Sequence, residues 1–445
     1  MAKKPQSGAR ASAARPAAAE APAAGAVSRL LFIQATQTLG MVLTFEYPAD
    51  SVLSRQFREH RELGARDRAF IAESVYGVLR RLRWLHRLAG EQANARQLLL
   101  IWCARGLGWP MRNFEGLVSA TERDWLATVK SADIGEGTLA ERADLPDWLT
   151  ERLLQQWSAE EVLEIAHGLN RPAPLDLRAN LLKADRDRVL EGLRASGIDA
   201  EAGRLSPQAI RLAGKPALQK HPLFLDGSFE VQDEGSQLLG LLVQPRRGEL
   251  VVDFCAGAGG KTLQLGAMMR SSGRLYAYDV AEKRLAKLKP RMARAGLSNV
   301  HPVLIAHESD AKLKRMAGKA DRVLVDAPCS GLGTVRRNPD LKWRQSPAAV
   351  EEMVARQTAI LAAAARLVRP GGRLVYATCS LLAEENDGIV DAFLAAHPQF
   401  RSLSAEALLQ AQGVALETGE RLRLLPHLHD TDGFFAAVME RADGA

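Results

Sequence analysis

The sequence predicts an α/β fold in three parts, because the spacing of its apolar residues changes twice along the chain. Between residues 27 and 142 apolar residues recur at helical intervals, which predicts an all-α domain. Between 143 and 230 helical stretches mix with short alternating runs such as 175–181, which predicts a small α+β module. Between 231 and 441 short apolar runs alternate with helical stretches, which is typical of a doubly wound parallel sheet.

Composition narrows the class of protein. The chain has 445 residues, enough for two or three domains, and 47% of them are hydrophobic, so a large core is expected. Residues 1–26 are rich in Ala and Pro with almost no large apolar side chain, which predicts a disordered tail. The formal net charge of +7 suits a polyanionic partner such as nucleic acid, although many basic proteins bind none.

The chain carries no pattern typical of membrane or secreted proteins. No apolar run reaches the ~18 residues of a membrane-spanning helix, and the basic N-terminus lacks the apolar stretch of a signal peptide. The four cysteines show no CxxC spacing, which argues against a disulfide scaffold and against a cysteine zinc site. We therefore expect a cytoplasmic protein with no membrane partner and no metal.

The helical part contains one candidate surface for nucleic acid. Residues 67–79 place apolar side chains near one face of a helix, and a basic segment follows them. This segment includes Trp84 and the arginines Arg80, Arg81, Arg83 and Arg87. Arginines around an aromatic ring suit a nucleic-acid surface, but a solvated helix end with Trp84 in the core is an equal alternative.

Two cysteines in the third part follow strand-like runs. Cys329 comes after the apolar run 323–325 and Cys379 after the apolar run 374–376. If both strands belong to one parallel sheet, both thiols emerge at its carboxyl edge, where open α/β sheets bind ligands. The pair therefore suggests nucleophilic chemistry at that edge.

A turn of small residues follows the first strand of the third part and opens a helix. It comprises Cys255, Ala256, Gly257, Ala258, Gly259, Gly260 and Lys261. A Walker A phosphate loop is not predicted, because Cys255 stands where that motif needs Gly, and Gly-x-Gly-x-x-Gly is also absent. Asp279 ends the second strand and can bind a ribose diol of NAD or S-adenosylmethionine, unless it is only an exposed strand-end carboxylate.

Taken together, these motifs resemble the NOP/Sun family of RNA cytosine-5 methyltransferases. The Pro-Cys-Ser and Thr-Cys-Ser motifs, in this order, are the most specific part of the resemblance. The helical part resembles, more weakly, the NusB-like domain of the family's bacterial ribosomal RNA enzyme. The matching segments are residues 253–262, 279–285, 326–333, 336–343, 376–386 and 432–435.

The resemblance implies a Rossmann-like domain that binds S-adenosylmethionine and methylates cytosine. Cytosine C5 is a poor nucleophile, and a thiolate that adds at C6 makes it reactive. The family's pattern implies that Cys379 attacks C6, that Cys329 assists breakdown of the covalent adduct, and that Asp326 holds the base edge and borders the cofactor. Because a free thiol titrates near ~8.5, Cys379 needs an activator that the sequence does not identify.

The resemblance also assigns cofactor residues. It implies that the turn 255–261 and Asp279 bind the cofactor, and that Lys261 contacts base or cofactor, although a solvent-facing lysine is an alternative. Arg284 is expected near the site. The family also has an acidic residue after its third strand. An ungapped alignment with the family places His307 at this position, and an alignment shifted along the chain places Asp310 there. We favour Asp310, with a surface loop as the alternative. Here Gly257 and Ala258 replace the family's usual Ala-Pro, which keeps small residues but loosens the turn.

Three hypotheses for the function follow: an RNA methyltransferase, a DNA methyltransferase and a non-catalytic RNA-binding protein. Structured RNA is favoured, with ribosomal RNA first and transfer RNA as the alternative, and its target base has to leave the stack. DNA cytosine-5 methyltransferases attack with the Pro-Cys thiol and need no Thr-Cys thiol, so Cys379 disfavours DNA. A non-catalytic RNA-binding assembly factor would tolerate loss of Cys329, Cys379 or Asp326, and all three are present. We expect a monomer.

Overall fold

The computed structural model describes residues 27–443, which divide after Gly135 into two compact units. The predicted disordered tail, residues 1–26, lies outside this part of the chain. Among the described residues, no helix combines the length and the apolar character that a bilayer crossing requires. The domain boundaries 27–142, 143–230 and 231–441 stay predictions.

The first unit is built from helices around a small apolar core. Helix α1 packs against α3 and α5, and Leu39, Val75 and Leu99 are fully buried. Trp84 is half-buried, with the guanidinium groups of Arg81 and Arg105 lying 5.2 and 5.5 Å from its ring centroid. The helices are α1 (Arg29–Val42), α2 (Ala49–Glu59), α3 (Ala65–Arg80), α4 (Leu82–Ala89), α5 (Ala95–Ile101), the π-helical turn Trp102–Gly106, the 3-10 turn Met111–Phe114 and α6 (Ala120–Ser131).

The second unit begins with three helices and a small antiparallel sheet. The sheet has the strand order β2-β3-β1-β4, and its inner face packs on the apolar side of α10. The elements are α7 (Leu139–Ala143), α8 (Asp147–Leu154), α9 (Ala159–Leu169), β1 (Leu175–Ala179), α10 (Arg186–Ala195), β2 (Ala200–Ala202), β3 (Ala209–Leu212), α11 (Pro222–Leu225) and β4 (Phe229–Val231).

A larger eight-stranded sheet forms the rest of the second unit. Its order is β10-β12-β9-β8-β5-β6-β7, with β11 paired to β12. The strands are β5 (Leu250–Asp253), β6 (Arg274–Asp279), β7 (Val300–Leu304), β8 (Ala320–Asp326), β9 (Val368–Thr378), β10 (Phe400–Leu403), β11 (Leu422–Leu424) and β12 (Phe434–Arg441).

The sheet is mixed, whereas the sequence pattern predicted a parallel one. Strands β5 to β9 run parallel, but β12 is antiparallel to β9, β10 and β11. Only residues 425–433 join β11 to β12, and parallel neighbours need a crossover of about a dozen residues or more. Strand β12 therefore runs back antiparallel to β11, and it lies between β10 and β9.

Helices cover both faces of this sheet. Successive strand residues point to opposite faces, so Val251 and Leu324 pack towards α12 and α13, and Val252 and Val323 pack towards α18 and α19. The helices are α12 (Glu234–Val243), α13 (Gly260–Met268), α14 (Glu282–Leu285), α15 (Leu288–Ala295), α16 (Ala311–Lys314), α17 (Leu341–Arg344), α18 (Pro347–Ala365), α19 (Asp387–Ala396), α20 (Ala405–Gln410) and α21 (Pro426–His429).

Candidate active site

Strand register brings the two cysteines together at the carboxyl edge of the large sheet. Strands β8 and β9 pair in parallel, with Asp326 opposite Ala377. Cys329 and Cys379 follow these paired positions by three and two residues. Their sulfur atoms lie 3.4 Å apart, and both side chains are half-buried. One base at this edge is therefore within reach of both thiols.

The Cys329 thiol is held in its neutral form. The hydrogen bond with Cys379, together with burial, raises the pKa of Cys329 well above its ordinary value. The S–H of Cys329 can therefore donate to the Cys379 sulfur.

A lysine–carboxylate pair lies beside the thiols. Lys261, at the start of α13, donates from Nζ to Asp326 Oδ2 at 2.7 Å, at the end of β8. Burial alone lowers the pKa of Lys261, but the charges of Asp326 and, less strongly, Cys379 and Asp253 raise it overall. Lys261 therefore stays an ammonium, and by the same attraction it stabilises negative charge on Asp326 and on the Cys379 sulfur.

The turn of small residues takes a shape that glycine permits. Gly257 and Gly259 have φ angles of +55° and +88°, in the left-handed region. The Gly257 N–H donates to Asp279 Oδ2 at 2.7 Å, which ties the turn to the end of β6. Burial raises the pKa of Cys255 well above its ordinary value, so this thiol is neutral and not a nucleophile.

The turn leaves space for a cofactor next to an acidic residue. A Cβ added at Gly257 or Gly260 would meet no heavy atom within 4 Å, so the backbone at both glycines faces open space. Asp279, whose residue is only 6% exposed, lies against the Gly257 side of this space. An exposed backbone next to a buried carboxylate fits an adenosyl ligand whose ribose hydroxyls donate to that carboxylate.

A second buried carboxylate is hydrogen-bonded to the residue that follows the turn. Asp253, at the end of β5, accepts a hydrogen bond from Thr262 Oγ1 at 2.6 Å. Its other oxygen, Oδ1, is buried without a hydrogen-bond partner. Burial raises the pKa of Asp253 to about 7, so its carboxyl is largely protonated in mildly acidic solution.

The remaining predicted residues make contacts with groups other than the two thiols. Arg284 is exposed, and its Nη2 is 3.9 Å from Asp279 Oδ1. Asp310 accepts from the backbone N–H groups of Ala306 and Lys312, each at 2.9 Å, and so caps α16. The roles of Arg284, Asp310 and His307 in cofactor binding stay predictions.

The sequence analysis assigned no role in the site to the buried polar residues behind the cysteines. Glu385 and Gln357 are fully buried, and Glu385 accepts hydrogen bonds from the residues that follow each cysteine, Ser330 and Ser380. Glu385 lies within the matched segment 376–386, so that segment was a signal for it. Gln357 lies in the middle of α18 with no motif around it, and only the fold reveals its contact.

Comparison with known proteins identifies the family. The family model described as 16S rRNA methyltransferase RsmB/F matches residues 240–440, which contain both cysteine motifs. The model of the ferredoxin-like domain of RsmF/B-like methyltransferases matches residues 145–219, which include most of the small antiparallel sheet.

Individual relatives cover most of the chain. A probable ribosomal RNA small subunit methyltransferase B of Synechocystis sp. is 33% identical over 88% of this chain and 95% of its own length. One from Bacillus subtilis is 33% identical over 73% of each chain. The crystal structure of PH0851 aligns with a TM-score of 0.76 at 26% identity over 94% of this chain and 99% of its own. The chain therefore belongs to the RsmB/F methyltransferase family and is an S-adenosylmethionine-dependent methyltransferase.

Proposed function

We propose that this protein methylates C5 of a cytosine in small-subunit ribosomal RNA by covalent catalysis with two thiols. The observation that carries the proposal is the 3.4 Å separation of the Cys329 and Cys379 sulfurs beside the Lys261–Asp326 pair. Relatives that cover most of the chain are named ribosomal RNA small subunit methyltransferase B, which supports this RNA as the substrate.

Cys379 starts the reaction as a thiolate. Its sulfur forms a bond to C6 of the flipped-out cytosine, the C5–C6 π pair moves to C4–C5, and the C4–N3 π pair moves to N3. The ammonium of Lys261, part of the 2.7 Å pair with Asp326, stabilises the thiolate beforehand. Lys261 thus supplies the activation that a thiol needs at neutral pH.

Asp326 holds the reacting base. Its Oδ2 is bound by Lys261, and about a third of its side chain is exposed at the sheet edge, so Oδ1 faces the base. The Lys261–Asp326 pair delivers the proton that N3 takes up as negative charge arrives there, and Asp326 accepts from the N4 amino group. The C4–C5 bond is then an enamine whose C5 is nucleophilic.

The bound cofactor supplies an electrophilic methyl group to C5. The turn at 255–261 would hold it with Asp279 at its ribose, and Arg284 and Asp310 are the further candidates on that side. The chain's own residues then release the product. Once Cys379 is bonded to C6, Cys329 loses its own proton to solvent. Its thiolate then takes the proton from C5, the C5–H electron pair forms the C5–C6 double bond, and the S–C6 pair returns to Cys379. N3 gives its proton back to the Lys261–Asp326 pair.

Paired cysteine variants test these roles. The Cys379→Ala variant is expected to form no covalent adduct and to transfer no methyl group to 16S rRNA. The Cys329→Ala variant is expected to attack and transfer, and then to accumulate a protein–RNA adduct that survives a denaturing gel. Normal methylation by Cys379→Ala, together with no adduct in Cys329→Ala, would reverse the assignment.

Bisulfite sequencing tests the substrate. Total RNA with and without the protein is expected to differ at a cytosine in small-subunit ribosomal RNA and at none in transfer RNA. A difference confined to transfer RNA would replace the proposed substrate while leaving the thiol chemistry standing.

A further inference from the structure

Two adjacent buried polar residues lie behind the cysteines and have no part in the steps above. Glu385 and Asn386, in the turn between β9 and α19, are 0% and 1% exposed. A buried carboxylate or amide is unfavourable unless its hydrogen bonds are satisfied. Both side chains are satisfied, and their partners belong to the chain segments that contain the two cysteines.

Glu385 holds the segment around Cys329. Its Oε1 accepts from the Ser330 N–H at 2.8 Å, and its Oε2 accepts from the Ser330 hydroxyl at 2.5 Å. Gln357 Nε2 bridges from Glu385 Oε1, at 3.0 Å, to the Pro328 carbonyl, at 2.9 Å. Both chain neighbours of Cys329 are therefore fixed by one carboxylate–amide pair.

Asn386 holds the segment around Cys379 in the same way. Its Oδ1 accepts from Thr378 Oγ1 at 2.5 Å, and its Nδ2 donates to the Ser380 carbonyl at 3.1 Å. The Gly333 N–H also donates to the Cys379 carbonyl at 2.8 Å. Cys379 therefore has supports that do not involve Glu385.

The hydrogen bonds around Glu385 and those around Asn386 meet at one residue, Ser380. Loss of Glu385 should affect the two cysteine segments unequally. The Ser380 hydroxyl donates to Glu385 Oε2. Without Glu385, the Cys379 segment keeps Asn386, Gly333 and the β9 ladder, which extends to Thr378. The Cys329 segment lies beyond the end of β8, where the Ala327 N–H still donates to the Ala377 carbonyl and Gln345 Nε2 donates to the Ser330 carbonyl at 2.7 Å. The N–H and hydroxyl of Ser330, however, both donate to Glu385. Removing Glu385 should therefore displace Cys329 more than Cys379.

We propose that Glu385 and Asn386 are positioning residues with separate tasks, Glu385 with Gln357 placing Cys329 for adduct release and Asn386 placing Cys379 for attack. This inference rests on the proposed roles of the two cysteines. Attack makes the S–C6 bond and, of the two thiols, needs only Cys379. Release needs Cys329 to take the C5 proton while the S–C6 bond breaks, so a displaced Cys329 blocks the second step after the first has occurred.

The Glu385→Gln variant tests the support of Cys329 while keeping a side chain of the same shape at position 385. The glutamine oxygen can accept from the Ser330 N–H and Gln357, while its NH2 group donates to the two serine hydroxyls, which can rotate to accept. The charge and the tight geometry around Ser330 are lost. We expect single-turnover methyl transfer to be preserved, multiple turnover to fall about 10- to 100-fold, and a covalent adduct to accumulate.

Variants at Gln357, Asn386 and Glu384 separate this effect from a loss of folding. Gln357→Met removes the bridge to Pro328 from the other side and is expected to accumulate adduct as Glu385→Gln does. Asn386→Ala, or Asn386→Asp, is expected to lose methyl transfer and adduct together. Glu384→Gln is the matched control, because Glu384 contacts neither cysteine segment in this network but forms a half-buried pair with Arg152, whose hydrogen bond a glutamine oxygen can also accept; it is expected to behave as the wild type.

The outcomes separate this inference from the proposed function. If Cys329→Ala accumulates adduct but neither Glu385→Gln nor Gln357→Met does, the positioning role is wrong and the thiol roles stand. If Glu385→Gln and Asn386→Ala lose transfer and adduct alike, the two residues are structural only. If Cys329→Ala itself forms no adduct, the cysteine roles fail, and the division of tasks fails with them.

Discussion

Two glycines of the cofactor turn differ in what surrounds them, and an alanine at each should have a different effect. Gly257 and Gly259 both have positive φ angles, +55° and +88°. A Cβ at Gly259 would lie 2.2 Å from Leu288 Cδ1 in α15, whereas a Cβ at Gly257 would point into open space. Gly259→Ala should therefore disturb the core, and Gly257→Ala should disturb the ligand space.

The magnitudes follow from these contacts. The left-handed conformation costs an alanine about 1–2 kcal/mol, and this applies to both variants. Overpacking against Leu288 adds about 1–3 kcal/mol for Gly259→Ala alone. In a domain of this size about 1 kcal/mol lowers the melting temperature by about 2–4 °C. Gly259→Ala should therefore melt below Gly257→Ala by about 2–12 °C.

Thermal unfolding and calorimetric titration with S-adenosylmethionine measure the two effects. Gly257→Ala is expected to lose most of its affinity for the cofactor while melting only about 2–8 °C below the wild type, from the backbone cost alone. Equal melting temperatures for the two variants would refute the clash with Leu288. Wild-type affinity in Gly257→Ala would show that the cofactor does not approach this turn.

Two further predictions concern pH. Because the raised pKa of Cys329 makes its thiolate scarce at neutral pH, release of methylated RNA from the wild-type adduct in a single turnover should accelerate steadily as pH rises from 7 to 9; a rate independent of pH would contradict Cys329 as the base. The folded-state pKa of Asp253, about 7, lies above its ordinary value of 3.8, so the stability from its bound proton is present in acid and is lost as pH rises towards 7. Asp253→Asn should therefore gain stability relative to the wild type by up to about 1.4 kcal/mol per pH unit between pH 5 and 7 in urea unfolding, and parallel curves would contradict the buried proton.

Much of the fold could be predicted because the apolar period is a local property of the chain. The runs at 250–252, 275–278, 323–325 and 374–376 are all strands of the large sheet. The antiparallel direction of β12 could not be predicted, because strand direction depends on which strand a segment pairs with and on the length of its connection.

Part of the candidate site could also be predicted from the sequence, because its motifs lie next to strand ends. Cys329 and Cys379 were placed at one sheet edge from their position after strands, and the register of β8 and β9 brings them there. Asp326 was expected near them from the family resemblance, and it ends β8. The contact of Lys261 with Asp326 was not predicted, because it joins the start of α13 to the end of β8. Gln357 was missed for the same reason, since a helix residue gains this role only by packing against another segment.

The sequence by itself determined the α/β class, the two cysteine motifs and the small-residue turn, since each depends on residue type and spacing along a short stretch. Only the tertiary structure decided the 3.4 Å separation of the sulfurs, the Lys261–Asp326 pair and the separate supports at Glu385 and Asn386. The physical reason is that proton sharing, charge stabilisation and burial depend on distances of a few ångströms between segments far apart in sequence.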